Sequence, residues 1–210
     1  MSSAQMTEAV IFDMDGVLID SGVHHRAAWR ALLTELGEEP AHPEYWRLTI
    51  GRPSEEAVPL LLGRRVPEHE ARRLARRKRD LYVHLSRGGV VSVPGVRDFV
   101  AALSRLGIPR AVGTSASRYD LDRLLVTADD VTLGKPDPEV YELAAARLRI
   151  PPEACIVFED SLVGVEAARR AGMRAVGVTT AHSETELREA GAERAIADFE
   201  GLEWTSLASP

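Results

Sequence analysis

Residues Ala9–Gly16 read AVIFDMDG, an apolar run followed directly by an acidic turn. Four consecutive apolar residues are typical of a strand that is buried on both faces of a parallel sheet. Two carboxylates, Asp13 and Asp15, follow at once, and Gly16 allows the chain to turn sharply. Because two acids this close repel each other, both ionise most readily beside a cation. By itself the pattern fits a metal-assisted acid, base or nucleophile, and it fits a strand-end turn capped by aspartate equally well.

Similar apolar runs recur along the chain. Runs bounded by polar residues or glycine predict further buried strands at Arg110–Gly113, Cys155–Phe158, Ala175–Val178 and Ala195–Ala197. Helical patterns separate these runs, and strands that alternate with helices predict an α/β domain with a parallel sheet. Ligands bind beyond the carboxyl ends of such strands. We therefore expect Asp13, Ser115 and Asp160, which each follow a predicted strand, to converge on one edge.

One long segment breaks the alternation. Residues 20–91 are mostly helical in pattern and contain no convincing buried strand. Pro94 and Gly95 then mark the return to alternating strands and helices. We predict a discontinuous α/β core formed by residues 1–19 and 92–210, with a helical cap domain over residues 20–91.

Two charged or titratable residues interrupt apolar faces of the predicted cap helices. Lys78 lies near the centre of an apolar stripe over Pro67–Arg87, where a lysine is uncommon unless it reaches a polar cleft or extends to solvent. We favour the cleft for Lys78. His25 lies on the apolar face of the first cap helix, where a core and a cleft position fit equally well. The neighbouring arginines are more typical of a solvated face than of a nucleic-acid site: Arg72, Arg73, Arg76, Arg77 and Arg79.

Composition excludes several classes of function. The net charge of -6 argues against general nucleic-acid binding. No apolar stretch approaches the ~18–20 residues of a membrane span, and the N-terminus lacks the pattern of a secretory signal. The single cysteine, Cys155, lies in an apolar run, so we expect a buried strand residue rather than a nucleophile. These features predict a cytoplasmic protein without nucleic-acid or membrane partners. We also expect a monomer, although these features do not set the oligomeric state.

Three later segments carry groups suited to an anion and a metal. Gly113–Arg118 reads GTSASR, and the hydroxyls and backbone N–H groups around Ser115 and Ala116 suit either an anion site or a helix N-cap. The GKPDP segment presents Lys135, for which a plain surface position is the alternative. A second acidic pair, Glu159 and Asp160, follows another strand. The four acids form an all-oxygen set that suits Mg²⁺.

In this order the segments resemble the motifs of the haloacid dehalogenase superfamily of phosphotransferases. Asp13–Ser21 is similar to the first motif, Ser115 to the second, Lys135 to the third and Glu159–Ser161 to the fourth. The helical insert lies where that family has its type 1 cap. His25–Trp29, which reads HRAAW, is similar to the β-phosphoglucomutase-like subgroup. The resemblance implies a Rossmann-like three-layer core with a parallel sheet and an inserted α-helical cap domain.

The resemblance also implies different roles for the first two acids. Asp13 would be the nucleophile that forms an aspartyl-phosphate. Asp15 would protonate the leaving oxygen and then activate water, while its backbone carbonyl binds the metal. A halide leaving group needs no protonation, and the family's dehalogenases lack the second aspartate. Asp15 therefore favours phosphate esters over haloacids.

The remaining motif residues would hold the metal and the phosphoryl group. With Asp13, Asp160 would bind Mg²⁺, and Glu159 would be either a further ligand or an acid behind the ligands. Ser115, Ala116 and Lys135 would bind the phosphoryl oxygens. Phosphoryl transfer depends mainly on in-line positioning and charge neutralisation, which such a set supplies.

Two catalytic functions follow from the resemblance. The first is a Mg²⁺-dependent phosphatase of a small phosphorylated metabolite, such as a sugar phosphate. The alternative is a β-phosphoglucomutase-type mutase, whose cap excludes water and binds a second phosphate. Lys78 and His25 match cap positions of these mutases, but Ser54 stands where their arginine is expected, with Arg52 as a possible substitute. We therefore favour the phosphatase.

One departure from the family pattern leaves a third function open. Only 19 residues separate Ser115 from Lys135, where a helix, a loop and a strand must fit. We predict a short helix over Arg118–Leu125 and a strand remnant over Val126–Val131. If this shortening misplaced Lys135, the chain would be a catalytically impaired binding protein. A receiver-type signalling domain is less favoured, because its phosphorylated aspartate follows a later strand and it lacks a cap.

Overall fold

A computed structural model describes residues 7–116 and 125–208. The chain forms two compact units, Met1–Asp20 with Ser92–Pro210 and Ser21–Val91. The helices of the described residues are α1 Gly22–Leu36, α2 Tyr45–Thr49, α3 Ser54–Leu62, α4 Glu68–Leu85, α5 Val96–Arg105, α6 Glu139–Leu148, α7 Leu162–Arg170, α8 Glu184–Glu189 and α9 Thr205–Ala208. Among these residues, none of the helices is both long and apolar enough to span a bilayer.

The discontinuous unit is built on a parallel sheet. Its described strands are β1 Ala9–Phe12, β2 Arg110–Gly113, β3 Leu125–Val126, β4 Cys155–Glu159, β5 Arg174–Val178 and β6 Arg194–Ile196. They lie in the order β3-β2-β1-β4-β5-β6, and every neighbouring pair is parallel. The predicted α/β fold with a parallel sheet is confirmed. The strand that carries the first acidic pair lies between β2 and β4, so the later motifs flank it.

Side-chain alternation along β1 divides the core into two layers. Ala9 and Ile11 belong to the cluster that contains residues of α6 and α7, while Val10 and Phe12 belong to the cluster that contains residues of α5 and α9. In the second layer Phe12 stacks on Phe158 with ring centroids 5.4 Å apart. Helices on both faces of one sheet make the unit a three-layer sandwich.

The segment before Lys135 differs from its prediction. β3 contains only two residues, which pair with Val112 and Gly113 of β2. The strand remnant expected over Val126–Val131 is wrong beyond Val126, because Thr127 and Asp130 form a capping box that starts a 3₁₀ turn. The helix expected over Arg118–Leu125 lies outside the described residues, except that Leu125 belongs to β3.

The unit Ser21–Val91 is helical, with α1 to α4 around a core of its own. Helices α1 and α3 end at Gly37 and Gly63, which adopt left-handed backbone angles that favour glycine. The apolar faces meet in one cluster of buried side chains: Trp29, Leu32, Leu33, Tyr45, Ala57, Val58, Leu61, Ala71 and Leu74. Whether this unit acts as a cap stays a prediction.

Candidate active site

The candidate site lies at the carboxyl edge of the sheet. Asp13 follows β1, Ser115 follows β2, Glu159 ends β4, and Asp160 comes next. Since β2, β1 and β4 are neighbours and parallel, these strand ends lie side by side. Side-chain alternation places Glu159 on the same face of the sheet as Val157, toward the layer that contains α6.

Lys135 is the cation of the site. Its side chain is only 1% exposed, so it is not a surface lysine. Its Nζ donates to Asp13 Oδ1 at 2.7 Å and to Glu159 Oε1 at 2.6 Å. The ammonium also lies 4.9 Å from the centroid of the Tyr141 ring. A buried ammonium needs such partners, and here it links the acids that follow two different strands.

The Glu159 carboxylate is fully buried and surrounded by donors. Oε1 accepts from Lys135 Nζ and from the Tyr141 hydroxyl, each at 2.6 Å, and Oε2 accepts from both the backbone N–H and the hydroxyl of Ser161 at 2.8 Å. Burial acts to raise the pKa of Glu159, but Lys135 and the other donors outweigh it, and the pKa lies below its usual value. A Cβ at Gly164 would lie 1.7 Å from Glu159 Oε1, so α7 needs glycine there.

The other two buried acids have raised pKa values. Burial raises the pKa of Asp13 to about 7, although Lys135 acts to lower it. Burial also raises the pKa of Asp160 well above its usual value, and the nearby Glu159, Asp13 and Asp15 add to this rise. The protein's own groups therefore stabilise the ionised forms of Asp13 and Asp160 poorly.

A divalent cation fits this charge imbalance. Ligand oxygens of Asp13, Glu159 and Asp160 lie within 4.8 Å of one another. Within the described residues 7–116 and 125–208, three carboxylates surround one ammonium and leave an excess of negative charge. Carboxylate oxygens are the ligands that Mg²⁺ prefers. The donor set fits a hard cation, and such a cation would lower the pKa values of Asp13 and Asp160.

The first acidic turn is closed by its own backbone. Gly16 N–H donates to Ile19 O at 2.7 Å, and Leu18 N–H donates to Met14 O at 2.9 Å. Gly16 has a positive φ of 77°, and a Cβ there would lie 1.9 Å from Asp160 Oδ2. Asp15 is half-buried in this turn. The glycine of the motif thus serves both the turn and the close approach of Asp160.

The two predicted phosphate-binding residues after β2 are half-buried. Ser115 and Ala116 lie in the loop that begins with the buried Thr114. The Ala116 N–H donates to Thr114 Oγ1 at 3.1 Å, and Thr114 N–H donates to Val126 O at 2.9 Å. These contacts hold the loop against β3, while the phosphate-binding role of the two residues stays a prediction.

Tyr141, Thr180 and His182 contact the acids, but no sequence pattern assigned them to the site. Ser161, which also contacts Glu159, was named only as the last residue of the fourth motif. Thr180 follows β5, so the rule that directed attention to the ends of β1, β2 and β4 would have identified it. Tyr141 lies within α6 and reaches Glu159 only through tertiary packing. No local pattern indicates such a contact.

In the helical unit, the lysine and the histidine that interrupt apolar helix faces form one cluster. Lys78 Nζ lies 2.7 Å from His25 Nδ1, 4.9 Å from the centroid of the Trp29 ring and 5.6 Å from that of Tyr82. His25 stacks on Tyr82 with centroids 4.3 Å apart. Because an ammonium only donates, the Nδ1 of His25 accepts here. Arg52, the other residue predicted to contact substrate, is half-buried in the loop before α3.

Comparison with known proteins gives consistent matches over most of the chain. A family model for haloacid dehalogenase-like hydrolases matches residues 7–172. Validoxylamine A 7'-phosphate phosphatase of Streptomyces hygroscopicus subsp. limoneus is 36% identical over 202 residues, covering 88% of this chain and 92% of the relative. The phosphorylated carbohydrates phosphatase of Thermotoga maritima is 36% identical over 203 residues, with the same coverage of 88% and 92%. The crystal structure of β-phosphoglucomutase from Clostridium difficile has a TM-score of 0.83 at 24% identity and covers 96% of each chain, which is a likeness of fold alone.

Proposed function

Since the chain belongs to the haloacid dehalogenase-like hydrolases, we propose that it is a Mg²⁺-dependent phosphatase of a small phosphorylated metabolite, such as a sugar phosphate. The observation that carries this proposal is the buried group in which Lys135 bridges Asp13 and Glu159 beside Asp160. Such a group can hold a cation and a phosphoryl group against a carboxylate nucleophile.

Asp13 is the proposed nucleophile. A carboxylate oxygen of Asp13 attacks phosphorus, the bond from phosphorus to the ester oxygen breaks, and Asp15 gives its proton to the departing oxygen. In the second step Asp15 takes a proton from water, the water oxygen bonds to phosphorus, and the bond to Asp13 breaks. Inorganic phosphate leaves, and both aspartates return to their starting states.

Lys135 and the metal ligands supply the charge balance for this chemistry. Lys135 neutralises negative charge beside the attacking carboxylate, at 2.7 Å from Asp13 Oδ1. Asp13, Asp160 and the Asp15 carbonyl would hold Mg²⁺, and Glu159, whose oxygens accept from Lys135, Tyr141 and Ser161, would be the acid behind these ligands. When bound, Mg²⁺ supplies the positive charge that allows a phosphate dianion to approach Asp13. Ser115 and Ala116 are proposed to bind phosphoryl oxygens.

A mutase is the second candidate, and the cluster of Lys78 with His25 favours it. These residues match cap positions that β-phosphoglucomutases use. Against a mutase, Ser54 stands where a cap arginine is expected. Two relatives at 36% identity are named as phosphatases, one of phosphorylated carbohydrates and one of validoxylamine A 7'-phosphate. The phosphatase is therefore the preferred proposal.

We also propose a reducing, cytoplasmic setting for the enzyme. The single Cys155 has no partner for an internal disulfide. Burial raises the pKa of its thiol to about 11, which disfavours the reactive thiolate. The expected monomeric state stays a prediction.

The test is hydrolysis of p-nitrophenyl phosphate and of a panel of sugar phosphates with Mg²⁺. We expect the Asp13→Asn variant to lose metal-dependent turnover, while the control Asp98→Asn, on the exposed side of α5, keeps it. Unchanged turnover in Asp13→Asn would refute the nucleophile. Incubation with β-glucose 1-phosphate and a trace of the bisphosphate separates the two candidates: free phosphate supports the phosphatase, and glucose 6-phosphate supports the mutase.

A further inference from the structure

The loop between β5 and α8 is fixed at both ends. At its start, Thr179 N–H donates to Ile196 O at 2.9 Å, which ties the loop to β6. At its end, Ser183 and Glu186 form a capping box that starts α8. Few residues lie between these anchors, so the loop is a stable support for whatever it contacts.

Thr180 connects this loop to two parts of the candidate metal site. Its hydroxyl donates to the Gly16 carbonyl at 2.7 Å, and the same oxygen lies 3.3 Å from Asp160 Oδ2. A Cβ at Gly16 would lie 2.9 Å from Thr180 Oγ1 and even closer to Asp160 Oδ2. The turn after β1, the Asp160 carboxylate and Thr180 therefore meet at one close-packed point.

His182 holds Asp160 from the backbone side. Its side chain is buried, and its Nδ1 lies 2.9 Å from the Asp160 carbonyl oxygen. A carbonyl oxygen only accepts, so this Nδ1 carries the proton and donates it. Asp160 is thus held at its main chain by His182 and lies beside Thr180 at its side chain.

These contacts oppose a repulsion inherent in the site. Asp13, Asp15 and Asp160 follow two neighbouring strands and carry like charges when ionised. When these acids are ionised and no cation is bound, their repulsion favours separation of the turn after β1 from the loop after β4. Uncharged donors on a third, anchored loop can keep the two acidic loops at the spacing that the cation needs.

We propose that Thr180 and His182 are positioning residues of the metal site, which preorganise the turn after β1 and Asp160 for Mg²⁺. This inference rests on the proposed function, since it assumes that the acidic group binds the metal. Preorganisation raises affinity because less of the favourable binding free energy is offset by ordering the ligands. Loss of either donor should therefore weaken metal binding even though neither residue carries a negative charge.

The test is isothermal titration calorimetry of the metal-free protein with MgCl₂. A typical hydrogen bond contributes ~0.5–1.5 kcal/mol, so we expect Thr180→Val to weaken Mg²⁺ binding about 3-fold to 10-fold. Thr180→Ser keeps the hydroxyl and should restore binding. The matched control is Thr179→Val, because the neighbouring Thr179 makes no side-chain hydrogen bond to a described residue.

The histidine is tested by a second pair of variants. His182→Leu removes the donor and should weaken Mg²⁺ binding to a similar degree, whereas His182→Asn places an amide N–H near the Nδ1 position and should recover much of it. Melting temperatures of the metal-free variants show whether they fold. Because Thr180 is solvent-exposed, its variants provide the result even if His182→Leu fails to fold.

The outcomes separate this inference from the proposed function. If the wild-type protein binds Mg²⁺ and hydrolyses phosphate esters while Thr180→Val binds Mg²⁺ equally well, the positioning role is wrong and the proposed function stands. A weaker affinity in Thr179→Val as well as Thr180→Val would also overturn the role, because the effect would not depend on the contact. A wild-type protein that binds no Mg²⁺ would overturn both proposals.

Discussion

Glu159 and Asp160 are adjacent in sequence, yet the protein surrounds their carboxylates very differently. Glu159 accepts from Lys135, Tyr141 and Ser161, and its pKa lies below the usual value even though it is fully buried. Asp160 lies beside the Thr180 hydroxyl and three other acids, and its pKa is raised. Glu159 is thus stabilised as an anion by the fold itself. Asp160, like Asp13, has an environment that a bound cation would complete.

Removal of the charge of Glu159 should cause the largest loss of stability in the metal-free protein. Glu159→Gln takes one of the two carboxylates from the buried Lys135 and sets an amide against the Ser161 donors. Breaking a buried ion pair costs about 3–5 kcal/mol, and we expect the metal-free protein to lose about 3 kcal/mol of unfolding free energy. Urea unfolding with EDTA measures this. The control Glu166→Gln, at an exposed pair with Arg170, should change stability by less than about 0.5 kcal/mol.

Because the pKa of Asp13 is raised whereas that of Glu159 is lowered, ionisation of Asp13 should destabilise the folded protein. The folded protein holds this proton up to about pH 7, whereas the unfolded chain releases it near the usual value of 3.8. The folded state therefore binds more protons in this window, and Asp13 makes stability fall as pH rises from about 4 to about 7. The slope is at most about 1.4 kcal/mol per pH unit.

Asp13→Asn isolates that contribution. In EDTA, the unfolding free energy of Asp13→Asn relative to that of the wild type should increase as pH rises from about 4 to about 7. Saturating Mg²⁺ should reduce this increase. Parallel pH profiles for the two proteins would show that burial does not raise the pKa of Asp13.

Removal of the charge of Asp160 should stabilise the metal-free protein, whereas removal of the charge of Glu159 should destabilise it. Asp160→Asn removes a carboxyl whose ionisation is opposed first by burial and then by the nearby acids, so we expect the metal-free protein to gain about 1 kcal/mol of stability at pH 8 while Mg²⁺ binding is lost. Thermal unfolding with and without Mg²⁺ measures both effects. Destabilisation of the metal-free Asp160→Asn variant to the same extent as Glu159→Gln would remove the distinction between the two acids.

The smallest predicted effect concerns the Tyr141 hydroxyl. Tyr141→Phe keeps the ring under Lys135 but removes one donor to Glu159, which should cost about 0.5–1 kcal/mol. The control is Tyr45→Phe in the helical unit, where the buried tyrosine makes no hydroxyl hydrogen bond to a described residue. Equal stabilities of the two variants would mean that Tyr141 contributes only its ring.

The sheet was largely predictable from sequence because buried parallel strands are continuous apolar runs. β1 and β2 have the predicted bounds, and the predicted runs at Cys155 and Ala175 identify β4 and β5. β3 could not be identified correctly, because two residues carry no periodicity and depend on their pairing with β2. Tertiary contacts, not local pattern, set its length.

Site residues that directly follow a strand were predictable from the sequence. Site residues that reach the acids only through tertiary packing were not. The strand-end rule pointed to Asp13, Glu159 and Asp160, whose oxygens the structure brings within 4.8 Å of one another. Tyr141 contacts Glu159 from α6, and His182 contacts Asp160 from the loop before α8. Nothing in their local sequence indicates these partners. The roles assigned by resemblance, including those of His25, Arg52 and Lys78, stay predictions.

The aspartyl-phosphate on Asp13 can be detected directly. The measurement is mass spectrometry of the peptide that contains Asp13, after the reaction is quenched with acid. With p-nitrophenyl phosphate and Mg²⁺, we expect one added phosphoryl group on Asp13. The Asp15→Asn variant should accumulate more of it, because that variant lacks the base for the water step. Release of phosphate without a modified Asp13 in either protein would contradict the aspartyl-phosphate mechanism.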